Sequence, residues 1–152
     1  MKAGLVALDD IRVDTGSCPQ RDFCSWEVGS PCQVIPGPNS YDTWEIRRAM
    51  HVCFADHTIK DMTGRYLYLN TTAVDSHHPV SRVFMQRRPP TDATCVTFWY
   101  SGYGVINRLN VYRFTTERAL SDPLVSVYSH SQNCQWRART VTITSSTEWN
   151  VG

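Results

Sequence analysis

Six cysteines, at 18, 24, 32, 53, 95 and 134, and five histidines, at 51, 57, 77, 78 and 130, are the side chains best suited to nucleophilic attack, proton transfer or metal binding. No two cysteines stand in a Cys-x-x-Cys pair, the spacing by which one turn offers two ligands to zinc. An even count without such pairs reads as disulfides, and so as an oxidising compartment. Six cysteines permit fifteen pairings, and composition assigns none of them. The histidines come without a nucleophile elbow, a His-Glu-x-x-His helix, a phosphate loop or a dinucleotide fingerprint. His77 and His78 precede Pro79 in a loop and read as solvated. His57, in Asp-His-Thr, follows a carboxylate and reads as ordering a turn rather than moving protons. On these residues the chain is not an enzyme.

The 152 residues suffice for one ordinary domain with a core. Apolar residues at 41% and charged residues at 19% describe a globular chain. A net charge of +1 excludes a global field toward nucleic acid or an anionic membrane. The basic pairs Arg47-Arg48 and Arg87-Arg88 are too short for a nucleic-acid footprint. Asn70-Thr71-Thr72 is an N-glycosylation sequon, and beside the cysteines it supports an extracellular setting. The opening MKAGLVALDD lacks the apolar core of a signal peptide, and no stretch is long enough to span a bilayer. The expectation is a piece of a larger secreted or membrane-anchored protein.

Strand signals recur along the chain. RYLYLN alternates Tyr with Leu. CVTFWY sets Cys95, Thr97 and Trp99 on one face and Val96, Phe98 and Tyr100 on the other. LNVYRF, PLVSVYS and RTVTITS alternate as well, the last two with Val125/Val127 and Val141/Ile143 inward. Turn formers lie between: PGPNS, SHHP, RRPPTD, SGYG and SDP. YDTWEIRRAM has poor helical spacing and reads as a strand. GLVALDDIRV at 4–13 is a further strand, running into the turn-like DTGSC. Many short strands with regular turns predict an all-β protein of two packed antiparallel sheets, filled by large aromatic residues, Trp99 among them.

Five segments, in order, resemble one family. CSWEVGSPC (24–32), YDTWEI (41–46), ADHTIKDMTGRYLYLN (55–70), CVTFWYSGYGVINRLNVY (95–112) and CQWRARTVTI (134–143) are similar to motifs of the MAM domain (meprin, A5, receptor tyrosine phosphatase mu). The resemblance covers residues 24–144 and implies a jelly-roll-like sandwich. It implies a non-catalytic module that works in cell adhesion or oligomer assembly, with protein partners: the same molecule, another ectodomain or neighbouring MAM repeats. Neither nucleic acid nor membrane insertion of this segment is expected. A carbohydrate-binding sandwich is the alternative, with WYSGYG (99–104) as its aromatic supply.

The family ends in an Ala-aliphatic-Asp-Asp-Ile strand followed by a Gly-rich stretch and a cysteine. Here ALDDIRVDTGSC comes first, and the chain closes on TEWNVG. The resemblance therefore implies that residues 1–17 are the last strand of a preceding repeat and that 18–152 are a MAM domain short of its last strands. Residues 4–13 either dock into the vacant last-strand slot, in this chain or a neighbouring copy, or dangle. The resemblance pairs Cys24 with Cys32. It leaves Cys95 without its partner and Cys18 directed to the preceding repeat, or the two to each other on fold-back. Cys53 and Cys134 depart from the pattern, as an additional bridge or as two buried thiols. It also implies, in some members, a structural calcium or sodium ion. Glu27, Asp42, Asp56 and the pair Asp9/Asp10 are the carboxylates within the matched motifs.

Overall fold

The computed structural model describes residues 4–15, 21–37, 44–49, 55–70, 80–104, 108–115, 122–128 and 135–152. Its elements are β1 (Gly4–Thr15), β2 (Arg21–Cys24), β3 (Ile35–Pro36), β4 (Glu45–Arg48), β5 (Arg65–Asn70), β6 (Val83–Phe84), β7 (Thr91–Gly104), β8 (Arg108–Val111), β9 (Arg113–Thr115), β10 (Val125–Tyr128), β11 (Arg137–Ser145) and β12 (Trp149–Val151). All are strands, as the period-two patterns predict.

The larger sheet has six strands in the order β11-β7-β1-β5-β4, with β2 also paired to β1. Every pairing is antiparallel. Shorter pairs, β10-β8, β12-β9 and β3-β6, make up the facing layer. Backbone bonds knit these pieces together. Met85 N–H donates to Val151 O at 2.7 Å, Arg88 and Trp149 exchange two bonds, and Gly152 and Tyr112 exchange two more.

One core fills the space between the layers. Leu8, Ile11, Val13, Leu67, Val96, Phe98, Tyr100 and Ile143 enter it from the large sheet; Val111, Val127, Trp149 and Val151 enter from the other side. The fold is thus the expected β-sandwich. On β7 the inward set is Val96, Phe98 and Tyr100, all buried. Trp99 is not part of that core. It lies on the opposite face of β7, half-buried, because side chains alternate along a strand.

Of the two fates expected for residues 4–13, docking is the one adopted. β1 is a central strand, with β7 along one flank and β5 and then β2 along the other. Val6, Leu8, Ile11 and Val13 are all buried. Each such side chain contributes about 1.5–3 kcal/mol relative to exposure, which accounts for the docking.

Cys24 and Cys32 form a disulfide with a Cα–Cα distance of 5.5 Å. Within its loop, Ser30 N–H donates to Glu27 O at 2.9 Å and Gly29 takes φ 87°, the conformation a type II turn needs at its third position. Trp26 reaches back into the core, 2% exposed. Reduction of this bridge is expected to cost about 2–3 kcal/mol, since the loop it closes is short. Nonreducing peptide mapping checks the pairing; two alkylatable thiols at 24 and 32 would contradict it.

Candidate functional site

The large sheet carries a second, smaller cluster on its outer face. Ala7, Ala49 and Tyr66 are buried there, with Tyr68 and Trp136 packed against them. The segment 55–64 covers this face beside β1.

Two adjacent carboxylates of β1 reach this segment because β1 is bulged. Its register against β7 shifts between Asp9 and Arg12, and Asp10 has φ 48°. In a regular strand neighbouring side chains point to opposite faces; an inserted residue in the left-handed region, which Asp tolerates, turns both to one side. Asp9 Oδ1 accepts from Asp10 N–H at 2.9 Å and Oδ2 accepts from His57 N–H at 2.7 Å. Asp10 faces His57 Nδ1 with one oxygen and accepts from the Thr58 hydroxyl with the other.

Asp56 organises the covering segment from within. Its Oδ2 accepts from Ile59 N–H at 2.7 Å and its Oδ1 faces Asp61 N–H at 3.4 Å. Asp61 repeats the device one turn on, accepting from Thr63 N–H and its hydroxyl. Asp and Thr form such local turns because their short side chains bond backbone two or three residues away. From outside, Trp136 Nε1–H donates to Ala55 O at 2.8 Å. The His57 ring stacks on Trp99 at 3.7 Å between centroids and meets Trp136 edge-on at 6.2 Å.

Asp9 is wholly buried and Asp56 is 1% exposed. Burial pushes the Asp9 carboxyl up to about 8; the His57 N–H bond opposes this, and the charges of Asp10 and Asp56 add to it. The cluster therefore anchors segment 55–64 to β1.

Asp9, Asp10 and Asp56 are thus brought to one place. Glu27 accepts from Arg65 N–H at 2.7 Å, which ties the disulfide loop to the start of β5. Asp42, Cys18, Cys53 and Cys134 lie outside the described residues. Cys95 is a half-buried free thiol. Asn70 closes β5 opposite Leu5. The oxygens of Asp9, Asp10 and Asp56 are each engaged by a protein group. Among the described residues, no three His, Cys, Asp or Glu side chains converge as a metal ion requires.

Sequence reading did not find Thr58, Trp136 or the stacking role of Trp99. The Asp-His-Thr triplet was the available signal, and it identified His57 as a turn-ordering residue without its partners. Trp99→Ala is expected to cost about 2 kcal/mol, less than a core tryptophan, while Trp99→Phe keeps the stack and costs under about 1 kcal/mol. Urea denaturation of both variants checks this; equal losses would contradict a stacking role.

The family model described as MAM domain, meprin/A5/mu, matches residues 24–151. The chain belongs to the MAM domain family. MAM domains are β-sandwiches, generally non-catalytic, in the extracellular regions of membrane or secreted proteins. MAM domain-containing protein 2 of Homo sapiens is 27% identical to this MAM domain over 100 residues, 62% of this chain and 14% of that protein. The chain thus spans a small part of that relative's length. No solved structure matches it. The carboxylate pair on β1 precedes the matched segment, whereas His57, Thr58, Trp99 and Trp136 fall within it.

Proposed function

We propose that this MAM domain is a non-catalytic interaction module of an extracellular protein, acting in cell adhesion or oligomer assembly through contact with another copy or another ectodomain. The observation that carries the reading is the use of the acid-and-histidine cluster found among the described residues. Asp9, Asp10, Asp56 and His57 hold the covering segment in place beneath Trp99 and Trp136, which is a structural task. Exposed apolar side chains on several elements leave surface for a protein partner: Ile35, Ile46, Ile59, Met62 and Val80. Sedimentation equilibrium and bead aggregation with the purified chain test it. Concentration-dependent association in sugar-free buffer is expected; a monomer at every concentration, with dispersed beads, would reject the homophilic form.

One observation favours the carbohydrate-binding alternative. On the outward face of β8 and β10, Tyr128 is 46% exposed with the Arg108 guanidinium 5.5 Å from its ring centre. Beside it Ser126 donates to Asn110 Oδ1 at 2.7 Å. An exposed aromatic beside amide and guanidinium groups suits a sugar. WYSGYG does not serve, since Tyr100, Ser101 and Gly102 are buried. These polar groups already satisfy one another, so the protein-contact reading stands first. Specific binding on a glycan array, lost in Tyr128→Ala, would reverse that order.

A further inference from the structure

We propose that the cavity between the disulfide loop and β12 binds one apolar side chain of a partner protein, carried on an extended segment that pairs along β2. The inference rests on the interaction-module reading and names where and how the partner is held.

The cavity has a volume of about 130 Å³. Its floor is apolar, made by Val13 of β1, by Met85, and by Trp149 and Val151 of β12. The Cys24–Cys32 disulfide lines one side. Backbone bonds fix the other side: Met85 N–H donates to Val151 O at 2.7 Å, and Arg88 and Trp149 exchange two bonds. A covalent bridge and a backbone ladder thus hold the walls before any partner arrives. Such preformation spares an occupant the cost of ordering its site.

Size and chemistry narrow the occupant. A cavity of about 150 Å³ accepts a benzene ring, so this one suits a single side chain and is too small for a sugar chain or a nucleotide. Apolar walls with sulfur among them suit Leu, Met or Phe. Among the described residues no carboxylate lines the cavity, and Arg88 is the charged group that does, so a cationic side chain finds no counter-ion there. At the mouth stand Phe23, 40% exposed, and the exposed amides of Gln33 and Gln86. A primary amide offers both donor and acceptor, which matches a peptide main chain. Trp149 is a separate signal. It is 2% exposed, and its Nε1–H is buried with no acceptor among the described residues. A buried donor without an acceptor is costly, and a carbonyl carried in by an occupant would take up that bond.

β2 is the reason for an extended segment. It pairs with β1 on one side, and among the described residues no strand pairs with its other side. Phe23 and Cys24 belong to β2 and also line the cavity. A strand added to the free edge therefore passes the cavity, and every second side chain of that strand points between the two layers. Edge pairing supplies main-chain bonds while the cavity selects the side chain, a recurring mode of peptide recognition.

The test uses the full chain, isotope-labelled for NMR, and the blocked peptide acetyl-Thr-Leu-Thr-amide. Saturable shifts are expected at the Trp149 indole N–H and the Phe23 backbone amide, and none with acetyl-Thr-Lys-Thr-amide. Phe23→Ala, at an exposed position, is expected to fold as the wild type does and to bind about tenfold more weakly. A second readout is chemical: reduction of Cys24–Cys32 by dithiothreitol is expected to slow as the leucine peptide fills the site. No shift at these positions up to about 10 mM peptide, or equal shifts with the leucine and lysine peptides, would overturn the proposal. Isobutyl methyl ketone has the branched chain and a carbonyl but no peptide; equal affinity for it would overturn the proposal in favour of a free small ligand. Shifts of the same resonances with protein concentration alone would overturn it in favour of a second copy. The interaction-module reading is judged apart from this site, by sedimentation equilibrium and bead aggregation, so the two can fail separately.

Discussion

Replacing Gly64 by Ala is expected to lower stability by on the order of 4 kcal/mol. A Cβ at this position would sit 2.0 Å from the Asp56 carboxyl carbon and 2.1 Å from its Oδ1. Asp56 cannot retreat, being 1% exposed and bound to Ile59 N–H at 2.7 Å. Either the carboxyl group moves and loses its backbone partners, at about 1.5–3 kcal/mol for a hydrogen bond to a charged group, or the backbone shifts, at about 1–3 kcal/mol for overpacking. The backbone option is costly as well, since Gly64 O accepts from Ala49 N–H and so joins the covering segment to the end of β4. Gly29→Ala is the control. Nothing lies within 4 Å of a Cβ there, and only the φ of +87° opposes the substitution, so about 1 kcal/mol is expected. Urea unfolding followed by tryptophan fluorescence measures both. A Gly64→Ala loss no larger than that of Gly29→Ala would contradict the close packing of the Asp56 carboxyl against Gly64 within segment 55–64.

Stability should fall as pH rises from about 4 to about 8, and Asp9 is the cause. Unfolded, its carboxyl titrates near 3.8; folded, burial holds the proton until about 8. Between these values the folded state binds more protons than the unfolded one. The contribution is therefore fully present below the unfolded value and is lost as pH rises through the folded one. At about 1.4 kcal/mol per unit, the window is worth on the order of 5 kcal/mol. Asp9→Asn removes the titration. It also turns an amide N–H toward the backbone N–H of either Asp10 or His57, a cost of about 1–3 kcal/mol that does not depend on pH. The diagnostic quantity is thus the slope, not the absolute stability. Denaturant midpoints across this pH range should converge or cross for wild type and Asp9→Asn as pH rises; parallel curves would show that Asp9 is ionised in the fold.

Much of the architecture was legible in the chain. Alternation decided the strands, because a half-buried strand must send every second residue to the core; Val96, Phe98 and Tyr100 are the clearest case, and Val127 and Ile143 follow the same rule. The Cys24–Cys32 bridge was indicated by family resemblance, and its residues are only eight apart. The place of residues 4–13 was open between docking and dangling, since apolar Leu5, Ala7 and Ile11 need cover and the pattern does not say whose.

The candidate site was legible only as separate residues. Asp9 and His57 are joined across 48 positions, and Ala55 and Trp136 across 81. No periodic signal carries such distances. Its size counted Trp99 as core filling, but its ring covers His57 on the other face, because both faces of the central strands are occupied here. Nor does Gly64 declare from its neighbours that Asp56 fills the space where a side chain would stand. The sequence by itself determined which segments are strands, which faces are apolar and which family the chain resembles, because these depend on local geometry and composition. Tertiary structure alone decided that β1 takes a central place and that its bulge turns two carboxylates onto one histidine, because register between distant strands follows from the packing of the whole sandwich.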